Sequence, residues 1–263
     1  MLRYFSIAKI ALKNRFASPQ KIFWQVVALT LRFLILFSAY RYAYHYFGKD
    51  IQGVSFPVAI WSMAFYTILL SFGMRMMFNK IQSDVLSGSV ENLFTKPVSY
   101  LLTKASWVLG EGFPSFLFNL CIIFFILIVS VGFPLPDYSV MWLFQAFIIV
   151  ILGLILSLIL YAIIGMAAFW LDNATPIYMI IDKTLMVFGG SYMPVAMFPN
   201  SMKLFAVYSP FGSALFGTHI FNSNFSQVWT QYVSIQIFWI VILSGVCIFV
   251  FRRVSRKLSI NGG

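Results

Sequence analysis

The chain has 263 residues, 61% of them hydrophobic and only 10% charged, with a mean hydropathy of +0.89. Soluble domains average about 45–50% apolar and about 25% charged residues, so this composition excludes a water-facing globule and makes lipid the main solvent. The net charge of +11, from 18 Lys and Arg against 7 Asp and Glu, would suggest nucleic acid in a soluble protein; here the basic residues sort to the ends of apolar runs, which excludes it.

Residues 1–20 are too polar to span. Leu2, Phe5, Ala8, Leu12 and Phe16 recur at three- and four-residue spacing, which predicts an amphipathic helix in the inner interface with Arg3, Lys9, Lys13 and Arg15 toward lipid phosphates. Those basic residues interrupt any apolar core ahead of a cleavage site, so no cleavable signal peptide is expected and the first span acts as the insertion signal.

Crossing the hydrocarbon core takes roughly 20 apolar residues. Six segments qualify: Ile22 to Tyr46, Phe56 to Phe78, Ser106 to Phe133, Met141 to Trp170, Pro176 to Phe188 and Trp229 to Phe251, the fifth being the shortest. The expectation is an all-α integral membrane protein of one transmembrane domain with six spans. Trp24, Trp107, Trp142, Trp170 and Trp229 fall near span ends, where an indole buries its ring and keeps its N–H wet.

Ionisable residues inside a span are expensive and are functional candidates by default. In the first span Arg32 follows Lys21 by eleven residues, about 16 Å along a helix and close to the midplane, while Arg41 can snorkel outward. Arg75 in the second span and Glu111 in the third each sit roughly 7 to 11 Å inside the inner edge, counted from Lys80 and Lys104. Their equal depth predicts an ion pair between spans two and three. Glu111 is the one acid counted within the spans, so the carboxylate relay of a proton-coupled transporter is not expected.

Residues 79–104 form the longest inner loop. Ser89 can cap a short helix, Glu91 suits its first turn, Val90, Leu93 and Phe94 make an apolar ridge, and Lys96 with Pro97 ends it. Such a ridge docks either on its own membrane interface or on a partner protein. The fourth span carries Gly153, Ser157 and Gly165 on one face, which allows close helix packing. On the outer side, residues 189–228 are too apolar for an aqueous loop and too broken to span. Gly189, Gly190, Pro194, Pro199 and Pro210 punctuate them, predicting re-entrant or interfacial half-helices at 196–207 and 212–221.

One side of the membrane carries Arg3, Lys9, Lys13, Arg15, Lys21, Lys80, Lys96, Lys104, Arg252, Arg253, Arg256 and Lys257, the other only Lys49 and Lys203. The positive-inside rule then places both termini in the cytoplasm. The chain has no Gly-x-x-x-x-Gly-Lys-Ser/Thr loop for ATP and no His-Glu-x-x-His metal motif, and Cys121 and Cys247 sit alone in apolar runs. His45 and His219 are expected as interfacial polar residues. No catalytic residue or metal ligand set is expected, because no His, Asp, Glu or Cys converge at membrane depth.

The six spans, the amphipathic N-terminal helix, the loop Ser87-Gly88-Ser89-Val90-Glu91-Asn92-Leu93-Phe94-Thr95-Lys96-Pro97-Val98-Ser99 and the proline-broken segment before the last span resemble the permease subunits of bacterial type-2 ABC exporters. The resemblance implies a coupling helix at 87–96, with Ser87, Gly88, Glu91, Asn92, Leu93, Phe94, Lys96 and Pro97 contacting a separate cytoplasmic ATPase that binds ATP and Mg. It also implies a second permease copy or paralogue, with spans two and five lining the route between the two. Phe65, Tyr66, Phe72, Tyr178, Thr184 and Phe188 then become pathway candidates, and Met193, Pro194, Pro199 and Pro210 belong to an outer gate. An ion-coupled secondary transporter is the alternative.

Overall fold

Most of the apolar runs become helices, the one over Tyr100–Ser130 continuing through Gly110, Gly112 and Pro114. The computed structural model describes residues 2–48, 50–89, 99–134, 139–171 and 173–261. Helix α1 (Leu2–Phe16) turns at Ser18 into α2 (Pro19–Phe47), which ends at a two-residue hairpin of β1 (Asp50–Ile51) and β2 (Val54–Ser55). There follow α3 (Phe56–Leu70), α4 (Met76–Leu86), α5 (Tyr100–Ser130), α6 (Val140–Met166), α7 (Thr175–Phe188), α8 (Asn200–Tyr208), α9 (Pro210–Ser213) and α10 (Phe225–Asn261). The hairpin pairs Asp50 with Ser55 and Ile51 with Val54, the sole strand pairing among the described residues.

Among the described residues, four stretches are long and apolar enough to cross a membrane: Pro19–Phe47, Tyr100–Ser130, Val140–Phe169 and Phe225–Ser255. The protein is a helical, membrane-embedded one. Half of the apolar window in α6 is buried inside the chain, against 17% in α2 and 11% in α10, so α6 is the central helix and the other two present most of their surface outward. One core lies around Phe78, Ile81, Leu156 and Ile164. A second lies around Phe33, Trp61, Ile68, Ile149 and Phe216, toward the hairpin end of the bundle. The small face of α6 is used for close approach: a Cβ on Gly165 would lie 2.9 Å from Ile81, and one on Gly153 would lie 2.6 Å from the Ala214 carbonyl oxygen.

Two of the expected spans are too short to cross as single helices, one by a break and one as its sequence bounds already implied. The second, expected as one helix from Phe56 to Phe78, breaks after Leu70. The Ser71 hydroxyl takes up the Ile68 carbonyl at 2.5 Å, and Gly73 turns left-handed at φ +68°, a conformation glycine reaches without a Cβ clash. With 15 residues α3 is about 22 Å long, short of the roughly 30 Å hydrocarbon core. The fifth, α7, has 14 residues and about 21 Å. Asn173 opens it, its side-chain oxygen accepting from the Thr175 N–H at 2.9 Å. A Schellman turn closes it: Gly190 at φ +81° lets the Ser191 N–H reach the Met186 carbonyl at 3.0 Å.

The N-terminal helix forms as expected but packs sideways onto α5 as well. Ala11 and Arg15 are buried, Phe5 and Phe16 are exposed, and Ala8 lies flat against Gly110. Arg15 therefore does not take the outward direction expected for it with Arg3, Lys9 and Lys13. Its guanidinium turns inward at the α1–α2 elbow, donating to Gln25 Oε1 and, at 3.4 Å, to the Lys21 carbonyl. Because any side chain at 110 would enter the Ala8 backbone, Gly110→Leu is expected to lift α1 off α5 at a cost of about 1–3 kcal/mol. A lower midpoint of unfolding in denaturing detergent, with Gly110→Ala between wild type and Gly110→Leu, reads this; an unchanged midpoint contradicts the packing.

Candidate functional site

The break between α3 and α4 is where charge enters the bundle. Arg75, which begins α4, forms an ion pair with Asp182 of α7, Nε to Oδ1 at 2.6 Å. The hydroxyl of Tyr161 on α6 donates to the same carboxylate oxygen at 2.8 Å. Asp182 is 4% exposed, so its charge is held by these two partners rather than by water. Arg75 also borders a small cavity of about 40 Å³, lined in addition by Tyr66, Ser157, Tyr161 and Gly217, with room for a water or two. On the other side of Tyr66, the Arg32 guanidinium lies 5.5 Å from its ring centroid and donates to the Ser191 hydroxyl. The expected midplane charge of the first span is thereby tied to the end of α7.

The expected pair of Arg75 with Glu111 does not form. Equal depth along two helices leaves their rotation free, and Arg75 turns toward α7 while Glu111 faces α4 one turn further on. There Lys80 Nζ lies 2.9 Å from Glu111 Oε2, which also accepts from the Trp107 indole at 2.9 Å. Asp182 was the residue missed by sequence reasoning. Its signal was available, one carboxylate in the apolar run from Thr175 to Phe188, and it makes a second acid within the segments counted as spans.

Between α4 and the start of α5 lies a further ion pair, Lys104 with Asp84 at 2.5 Å, and Asp84 also accepts from the Tyr100 hydroxyl at 2.7 Å. With Lys80 and Glu111 these groups border a cleft of about 660 Å³ between α1, α4 and α5. Of the expected coupling residues, Ser87 and Gly88 are exposed just past the end of α4, with the Ser87 hydroxyl 2.9 Å from that of Ser89. Glu91, Asn92, Leu93, Phe94, Lys96 and Pro97 lie outside the described residues.

The pathway candidates divide. Tyr66 reaches the cavity beside Arg75. Phe65 is buried against Phe221 at 5.7 Å, Phe72 against Phe116 at 4.2 Å, and Tyr178 stacks on Phe78 at 4.3 Å, so these three rings are packing residues within the chain. Thr184 is half-buried and bonds its own helix at the Ile180 carbonyl, and Phe188 packs on Phe205 at 4.5 Å, joining α7 to α8.

The segment between α7 and α10 is built as its prolines direct. Pro194 precedes a 3-10 turn at Val195–Met197, Pro199 precedes α8, and Pro210 starts α9 with Ser209 accepting from the Gly212 N–H at 3.3 Å. Met193 packs half-buried among Val195 and Phe198. A second 3-10 turn, Phe216–His219, folds back between α3 and α6, where Gly217 meets Phe65, Leu69 and Val150. Gln236 of α10 fixes it, donating to the Ser213 carbonyl at 2.9 Å and the Ile149 carbonyl at 3.2 Å. His219, expected at the interface, is buried beside Phe216 and Tyr232 instead, whereas His45 is exposed.

One further node joins the inner elements. Gln25 accepts through its side-chain oxygen from Arg15 and, at 3.0 Å, from the Ser115 hydroxyl of α5. Its amide nitrogen donates to the Ser71 carbonyl at the α3 break, at 3.2 Å.

No protein-family model matches this chain, and a search of curated proteins returns no significant relative.

Proposed function

We propose that the chain is the permease subunit of a bacterial type-2 ABC exporter, moving an apolar or amphipathic cargo outward on ATP hydrolysed, with Mg, by a separate cytoplasmic ATPase. The observation that carries this reading is the outer segment from Ser191 to Asn224, broken into short helices and folded back between α3 and α6 ahead of the last long helix. In this reading α3 with α4, and α7, complete six crossings of the cell membrane with both termini in the cytoplasm. Met193, Pro194, Pro199 and Pro210 then articulate an outer gate. A second copy of the chain, or a paralogue, pairs with it, and residues 87–97 couple to the ATPase. The buried Arg75–Asp182 pair holds the broken second crossing against the fifth.

A second reading has its own observation. A helix interrupted at Ser71–Arg75 beside a buried ion pair is also how ion-coupled secondary transporters expose backbone and charge at their binding sites. One experiment separates the two: mass spectrometry of the protein gently purified from its native membrane, with transport measured under ATP depletion. The exporter reading expects a Walker-motif ATPase at stoichiometric amount and transport that stops without ATP. Its reproducible absence, with transport that continues, selects the secondary transporter.

A further inference from the structure

At the hairpin end of the bundle the loops enclose a cleft of about 600 Å³, within the range of small-molecule sites. It is a built site. His219 lines it while only 6% exposed, with Nδ1 3.3 Å from the hydroxyl of Tyr232, which also lines it. Asp50 of β1 and Lys203 of α8 border the same cleft, and among the described residues neither takes part in an ion pair. Asn222 and Asn224, just ahead of α10, add neutral amides to the wall.

A carboxylate and an ammonium that share a cleft without neutralising one another are complementary to a molecule carrying the opposite pair. A simple anion would meet Lys203 but be repelled by Asp50, and a simple cation would meet the reverse. We propose that this outer cleft binds a small zwitterion, its ammonium received by Asp50 and its phosphate or carboxylate by Lys203 with the asparagine amides donating. Such chemistry comes from two sources, the ethanolamine headgroup of a membrane lipid or a free amino-acid-like solute. The site is independent of what energises the chain.

The test uses the full-length protein in detergent, titrated calorimetrically with phosphoethanolamine and, separately, with inorganic phosphate. Phosphoethanolamine is expected to bind about tenfold or more tightly than phosphate, and Asp50→Asn and Lys203→Gln are each expected to weaken it by about tenfold or more. Lys203→Arg, which keeps the charge, should retain binding and so guards against a variant that merely misfolds. Native mass spectrometry after reconstitution in equal phosphatidylethanolamine and phosphatidylglycerol then assigns the source. Selective retention of phosphatidylethanolamine makes it the lipid headgroup, and equal retention with soluble binding intact makes it a free solute. Absence of phosphoethanolamine binding, phosphate binding as tight as phosphoethanolamine, or binding unchanged in both neutralised variants overturns the proposal.

Discussion

Asp182→Ala is expected to destabilise the protein by about 3 kcal/mol, the low end of the range for one partner removed from a buried ion pair, since the Arg75 side chain keeps 29% of its accessibility. The loss comes less from the missing attraction than from the Arg75 charge left without a carboxylate, beside the Tyr161 and Tyr66 hydroxyls and a cavity with room for only a water or two. The double variant Arg75→Met with Asp182→Leu removes both charges and is expected to recover most of the stability, whereas Tyr161→Phe alone costs about 1 kcal/mol. Unfolding in mixed micelles under increasing denaturing detergent measures all three. If Asp182→Ala unfolds with the wild type, or the double variant is no better than the single one, the pair does not hold α4 against α7.

The second large effect concerns function and rests on the exporter reading. Glu91→Arg or Leu93→Asp is expected to reduce ATP-driven transport by about tenfold or more while the ATPase continues to hydrolyse, a loss of over about 1.4 kcal/mol of coupling. Transport and phosphate release measured on the same proteoliposomes give the ratio. Variants that transport normally would remove residues 87–97 from the coupling role. A parallel fall in both rates, with the ATPase no longer co-purifying, would instead assign the loop to assembly.

The long elements were legible in the sequence because membrane helices obey two simple constraints, length and the absence of charge. The segment from 191 to 224 was legible for another reason: Pro194, Pro199 and Pro210 each set an element boundary, the first two just ahead of a 3-10 turn and α8 and the third opening α9. The break after Leu70 was not. The run from Phe56 to Phe78 is uncharged but for Arg75, which reads as a costly charge within one helix rather than as a break, and Gly73 is a residue that many membrane helices carry without interruption. The charged site was half legible. Depth along an axis correctly marked Arg75 and Glu111 as costly, but pairing depends on which way each helix is rotated, and that is set by packing far from either residue. The paired Lys80 and Arg75 are less than two turns apart on the same helix and serve different partners. Bridging glutamines carry no sequence signal at all in this setting, since the half-buried Gln25 and the buried Gln236 read as isolated polar residues in apolar runs until the carbonyls they hold are known.

Gln25 has a mechanical consequence. One amide group ties the N-terminal elbow, the long helices α2 and α5 and the lower end of α3 together through Arg15, Ser115 and Ser71. Past Gly73 the fastening changes to ion pairs, Lys80 with Glu111 and Lys104 with Asp84, which clamp α4 to α5. A displacement of α4 would therefore break those pairs or carry α5 with it, and would pull on α7 through Arg75 and Asp182.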